Sequence, residues 1–447
     1  MNRISVFAII FTLFIPLGSY AQYAFSSKTP KKAGDLIEST SYNDHKRGAP
    51  RMLQYLPSGE EFVCVNGKNR YTRALYGGHT AWRLETGDRP IFATYVKNDC
   101  RNIRFRLHLP DGTVTPLEET DWCEARYNPG TRTYALKDKA WGENCSLKVS
   151  VLASLTEEMA VWELSGELPA GCELEVLNSP IRRKKLSRSG DMGADPPGCF
   201  EPAEDGTVLQ ILKCRFPADG HLYVGISGNE LKEIRDGGVQ YLALQKACRE
   251  LAERIRITTP DPYFNTLGGA LAVAADGIWG EEGVWLHGAV GWRMPLSGWR
   301  AAYVGDVLGW HDRARTHFDN YAASQVTEVP NTIPHPAQDS ALALARSAKI
   351  WGTPQYSNGY ICRNPRRNNQ MHHYDMNLCY IDELLWHFNW TGDLEYARRM
   401  WPLLTLHLAW EKRNFDPDND GLYDAYACIW ASDALYYNLS LIHISEP

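Results

Sequence analysis

The hydrophobic rhythm of this 447-residue chain changes once, and that change limits the fold more than any other feature. Up to about Cys248 apolar and polar residues alternate in short runs, the period of strands buried on one face. Ile103–Leu109 alternates in this way and meets Pro110-Asp-Gly112, a tight-turn signal, and Ser146–Leu152, Met159–Leu164 and Glu173–Leu177 repeat the pattern. After a helical stretch at Leu242–Ile255, the segment Arg256–Pro262 interrupts the pattern with two prolines, and apolar residues then recur at three-and-four spacing. Leu267–Trp279, Trp299–Tyr321, Ser340–Trp351, Met376–Trp390 and Leu394–Lys412 read as helices. The expected order is therefore an antiparallel β-sandwich over 22–255, a linker over 256–262 and an all-α domain over 263–438. In the last, helical hairpins are joined by loops that hold polar and aromatic residues. Arg182–Gly198, basic and rich in Gly and Pro, reads as a long surface loop.

A net charge of -6, with no basic block interleaved with aromatics, provides no field for a phosphate backbone, so nucleic acid is not an expected partner. Ile4–Gly18 is the one long apolar run; with Arg3 before it and Ser19-Tyr-Ala21 after it, residues 1–21 read as a signal peptide. Export is expected, to the periplasm or beyond, with no membrane attachment after cleavage. The eleven cysteines include no C-x-x-C pair, so the expectation is mostly buried thiols, and no bridge is assigned. Eleven of the fifteen tryptophans fall between Trp279 and Trp430. Indole faces stack on sugar rings, which points to an oligo- or polysaccharide partner, although ordinary helix packing accounts for most such rings individually. The tail Leu439–Pro447 can be encoded in frame by a transposon-end adapter, so it reads as non-native, with only the N-terminal half of the helical domain preceding it.

Two short stretches carry a resemblance. Pro295–Asp306, with Trp299, Arg300 and Asp306, resembles the first signature of trehalases. Asp418-Asn-Asp-Gly-Leu-Tyr-Asp424, followed by Ile429-Trp-Ala-Ser-Asp433, is similar to a later one. Both belong to the six-hairpin glycosidases, and the resemblance covers residues 260–438. It implies an incomplete (α/α)6 toroid behind the sandwich and an inverting glycoside hydrolase acting on plant or host glycans. It further implies that Asp433 is the general acid, with the base absent from this chain, and that Trp299, Arg300, Asp306, Tyr374, Asp375, Asp424 and Trp430 line the substrate site. The sandwich itself, at Asn69–Tyr76 and Leu84–Asp88, looks like an exported module of Bacteroidetes type that precedes such toroids.

The chemistry of the residues runs parallel to this. Inverting hydrolysis needs two carboxyl groups about 6.5–9.5 Å apart, and an apolar wall such as Trp430 beside Asp433 would keep an acid protonated. Asp433 could instead cap the helix expected at Ala434, and Arg300 with Asp306 could be a structural ion pair. His311, Asp312 and Arg313 read as supporting or surface residues. Asp416–Gly421 copies the start of an EF-hand loop but has Ala427 where the bidentate Glu belongs, so it reads as a turn, and no metal or cofactor is expected. His372-His-Tyr-Asp375 reads as a rim loop with Asp375 capping the next helix. Rival functions are a polysaccharide lyase using Tyr374 or His372, and a non-catalytic glycan-binding protein.

Overall fold

The computed structural model describes residues 38–39, 51–52, 55–71, 73–96, 99–182, 186, 197–234, 236–289, 293–298, 300–328, 357–368, 375–416 and 418–422. The expected signal peptide (1–21), the tail 439–447 read as non-native, the helix expected over 340–351, Trp299, Tyr374, Asp424, Trp430 and Asp433 lie outside them, as does the side chain of Asp375.

Alternation builds two antiparallel sheets, as expected. A short pair, β1 (Glu38–Ser39) and β2 (Arg51–Met52), stands before them. In spatial order the larger sheet runs β17 (Glu230–Glu233), β16 (His221–Ser227), β13 (Met159–Glu167), β12 (Ser146–Ala153), β11 (Thr131–Lys137), β10 (Trp122–Asn128), β4 (Glu61–Val65), β3 (Leu56–Ser58). The smaller runs β15 (Gln210–Arg215), β14 (Glu173–Pro180), β8 (Arg101–His108), β7 (Ile91–Tyr95), β6 (Arg83–Thr86), β5 (Arg73–Tyr76), with β9 (Val114–Pro116) beside β8. On β10, Cys123, Ala125 and Tyr127 turn inward while Trp122, Glu124 and Arg126 do not; Ile103, Phe105 and Leu107 do the same on β8. The inward sets form one core, centred on Trp162 with Phe92 and Phe105 against its ring at 5.3 and 5.5 Å. The expected turn after β8 is present, with Gly112 at φ 90° and its N–H donating to Leu109 O at 3.0 Å. Cys64, Cys100, Cys123, Cys172, Cys214 and Cys248 are buried thiols, in line with the sequence.

Helix α1 (Gly237–Ala252) begins earlier than its apolar spacing suggests and lies on the outer face of the larger sheet. There Tyr241 closes a small cluster with Leu152, Met159 and Val161. Gly237 is required for this approach, since a Cβ would sit 2.2 Å from that of Tyr223. The proline-punctuated linker ends in Asp261, whose carboxylate accepts the Tyr263 N–H at 2.8 Å and caps α2 (Pro262–Gly277), with Pro262 in the first turn. Then come a small hairpin of β18 (Trp279–Gly280) and β19 (Val284–Trp285), α3 (Tyr303–Val307), α4 (His311–Ala322), α5 (Asp375–Thr391) and α6 (Leu394–Phe415). A second core, separate from that of the sandwich, joins these elements through Trp285, Phe318, Tyr380, Leu384, Met400 and Leu404. No helix among the described residues is long and apolar enough to cross a membrane.

The helical half does not form the expected (α/α)6 toroid. Among the described residues there are six α-helices, and α1 buries its apolar face on the sheet, as part of the sandwich unit expected over 22–255. The single helix expected over Trp299–Tyr321 is broken. Gly309, at φ 73°, turns the chain between α3 and α4, and Gly305 lies so close to Trp285 that a Cβ would come within 2.4 Å of the ring. Sequence spacing carried through this break because apolar residues on both sides face the same core.

Candidate functional site

The stretch Pro295–Asp306 is where the structure draws predicted residues into one place. Its loop lies directly on the first turn of α5: a Cβ on Gly298 would fall 1.9 Å from Met376 O and 2.5 Å from Tyr380 N. Two residues on, Arg300 adopts φ 61°, a left-handed conformation that costs a non-glycine residue about 1–3 kcal/mol and persists only where the surroundings hold it. Its side chain is exposed.

Asp306, on α3, is buried, and its carboxylate faces two imidazoles. His387 Nδ1 of α5 lies 2.9 Å from each oxygen, and His311 Nδ1 of α4 lies 2.7 Å from Oδ1. Asp306 accepts from both, so it ties three helices together. His387 is fully buried, and its Nε2 has no partner, whereas His311 is nearly half exposed. Of the neighbours read as supporting residues, Arg313 reaches instead to Asp276 at 2.7 Å, and Asp312 is exposed, its carboxylate accepting from Arg315.

One turn before His387, Glu383 is buried, and no described side chain hydrogen-bonds its carboxyl oxygens. Burial drives its pKa well above the carboxylate range and Asp382 adds to this, while the Ala302 N–H and the Arg300 charge oppose it without prevailing. Burial thus favours the neutral form of the Glu383 carboxyl. Sequence reasoning passed over both Glu383 and His387. Their signal was a Glu and a His four apart on the same face of α5 as Tyr380 and Leu384, where an apolar stripe should not carry charge.

A second polar cluster joins the sandwich to the helices. Asp276, at the end of α2, accepts from Arg313 and lies 3.0 Å from His79 Nε2 in the β5–β6 turn. Burial raises the Asp276 pKa, but His79 and Arg313 outweigh it and hold the carboxyl below its ordinary range. Arg293 completes the junction, donating to the carbonyls of Gly277, His79 and Trp279 at 2.6, 2.6 and 2.9 Å.

Between the outer face of the larger sheet and helices α1 and α2 runs a groove of about 710 Å³. Thr131, Thr133, Lys148, Ser150 and Glu163 form its floor, and Gln245, Arg249, Asn265 and Thr266 face them from the helices. Tyr241 is its sole aromatic lining residue among the described residues, and its hydroxyl donates to Ser150 Oγ at 2.6 Å. The expected tryptophan platforms are not here: Trp386, Trp390 and Trp401 are exposed on α5 and α6, and Trp82, Trp141, Trp162, Trp285 and Trp410 pack in cores.

At the EF-hand-like turn, Asp416, Asp418 and Asp420 bring carboxylate oxygens within 4.8 Å of one another. Asp416 Oδ1 accepts the Gly421 N–H at 3.2 Å and Asp420 Oδ1 the Leu422 N–H at 2.7 Å. Both bonds belong to the turn that was expected.

Residues 100–208, which span β8 to the loop before β15, match a family described as a domain of unknown function (DUF4450). No curated protein matches the chain. The match lies wholly in the sandwich. Together with a mostly β-sheet fold whose few described helices form no toroid, it overturns the resemblance to six-hairpin, trehalase-like glycosidases.

Proposed function

We propose that this chain is an exported glycan-acting protein whose groove between sheet and helices holds the sugar chain, and that its activity is glycoside hydrolysis. The groove carries this reading. Its walls are hydroxyls, amides and charged groups distributed along both sides, the partners that a ligand studded with hydroxyls requires, and its volume accommodates several sugar units. Its polar lining is poorly matched to an apolar small molecule. Hydrolysis is assigned to Asp433 as proton donor, a carboxyl residue that the sequence places three positions after Trp430.

Titration calorimetry of the whole chain against neutral and acidic oligosaccharides, alongside reducing-end release, tests both parts. Gln245→Leu removes a groove amide from the helix wall and should weaken glycan binding about 5–10-fold, the value of one to two neutral hydrogen bonds. Asp433→Asn should leave binding intact and cut hydrolysis by about 100-fold or more. Binding without any release would leave glycan recognition as the function; no binding to any glycan would remove both.

A further inference from the structure

The charges that line the groove between sheet and helices are unequally satisfied. Glu61 accepts from Arg126 at 2.8 Å, and Glu253 pairs with Arg256 at 2.9 Å. Glu163 accepts the Tyr223 hydroxyl at 3.2 Å, with His221 Nδ1 3.1 Å away, both from β16. Glu60, in the β3–β4 turn, is the one lining carboxylate left without such a neighbour among the described residues. Two lining cations stand against it: Lys148 on the floor and Arg249 on the helix wall are exposed, and neither pairs with a carboxylate among the described residues.

Two contacts fix where these cations stand. The Tyr241 hydroxyl meets Ser150 Oγ, and Cys248 Sγ lies 4.0 Å from the Ala153 carbonyl. The helix advances about 10 Å from Tyr241 to Cys248 and the strand about as far from Ser150 to Ala153, so α1 runs along β12 in the same direction. Lys148 precedes Ser150 on the same face of β12, and Arg249 follows Cys248 on α1. They therefore flank the Tyr241–Ser150 bond on opposite sides, Lys148 about 7 Å along the strand and Arg249 about 12 Å along the helix. Thr133, level with Ser150 on the neighbouring strand, and Gln245, between Tyr241 and Arg249, occupy the interval.

We infer that the groove takes an acidic glycan, one that carries carboxylates or sulfates at intervals along its chain, and that Lys148 and Arg249 select it. Cations spaced in this way are too far apart to close on one small anion, whereas an extended polyanion meets both. The hydroxyl and amide between them suit the sugar hydroxyls between charged units. A neutral glycan gains the hydrogen bonds of the groove and nothing from its two unpaired charges. The sugar identity rests on the glycan reading above; the demand for an extended anion does not.

Calorimetry of the full chain with matched pairs tests this: polygalacturonate against its methyl ester, dextran sulfate against dextran, and polyglutamate as a polyanion without sugar. The charged member of at least one glycan pair should bind at least about 10-fold more tightly than its neutral counterpart, and the pair that does so separates uronate from sulfate as the source of charge. Added salt should weaken that binding. Lys148→Glu and Arg249→Glu should each weaken it about 5-fold or more, since an exposed ion pair is lost and repulsion replaces it. Both side chains are exposed, so thermal unfolding should be unchanged in the two variants. Neutral glycans that bind as tightly as charged ones overturn the inference and leave the glycan reading standing, and charged glycans whose affinity neither reversal changes do the same. If polyglutamate binds in a manner sensitive to both reversals while no glycan binds, the anionic groove stands and the glycan reading falls. If nothing binds, both fall.

Discussion

Asp276 keeps a charge in a nearly buried position because His79 and Arg313 face it from different parts of the fold. Its folded pKa lies below the unfolded value of 3.8. The unfolded chain therefore takes up a proton before the folded chain does, and the stabilisation from Asp276 is complete above pH 3.8 and is lost as pH falls through the depressed folded value. Asp276→Asn should destabilise the protein by about 1–3 kcal/mol at neutral pH, since both partners are partly solvated. The difference should shrink in acid. Denaturant melts of wild type and variant between pH 7 and pH 3 check this, and a difference that stays constant or grows in acid contradicts the assignment. At this scale the sequence revealed some partners and concealed others. Asp306 was legible as a residue of consequence and His311, five positions on, was read as a supporting or surface residue, but His387 was not seen, because it lies eighty-one positions away along the chain and pairing at that distance leaves no local trace. The Asp276–His79 pair is hidden for the same reason.

Strands and helices were legible where one period held over a full element. Ser146–Ala153, Met159–Glu167 and Glu173–Pro180 match the alternating runs, and Asp375–Thr391 and Leu394–Phe415 match the helical ones to within a few residues. The failure at Trp299–Tyr321 was one of tertiary contact: Gly305 and Gly309 were visible, but the indole that presses on Gly305 comes from β19. Gly298 belongs to the same class. A methyl group there meets backbone of α5 on two sides, and a carbonyl cannot rotate away as a side chain can. Gly298→Ala should lower the melting temperature by several degrees, corresponding to an overpacking cost of about 1–3 kcal/mol. It should also free Arg300 from its left-handed conformation by shifting the 295–300 loop. Differential scanning calorimetry measures the first, and hydrogen exchange across the start of α5 the second; a variant as stable as wild type would mean that the loop does not bear on α5.

For the whole molecule, the change of period correctly divided the chain into a β-rich part and a helical part, but it could not say what the helices pack on. A three-and-four pattern records that a face is buried and is silent about its partner, so the helices after the linker read as a ring, while the helix within 22–255 carried no sign of which sheet face it covers. That distinction has a consequence for dissection. A fragment ending before Gly237 strips α1 from Leu152, Met159 and Val161, whereas one ending after α2 keeps the face covered. The longer fragment should unfold cooperatively and remain monomeric, and the shorter should bind hydrophobic dye and aggregate. Gel filtration and calorimetry of the two fragments decide it, with equal behaviour counting against a role for α1 in closing the sandwich.

The same arrangement fixes the shape of the groove. Two struts cross it, Tyr241 Oη to Ser150 Oγ at 2.6 Å and Thr266 Oγ1 to the Gly59 carbonyl at 3.1 Å. One anchors α1 to the centre of the sheet, the other anchors α2 to the β3–β4 turn. The gap between wall and floor is therefore set by the architecture, like a calliper locked at one opening, and a ligand is selected by the thickness it presents before any of its individual groups are read.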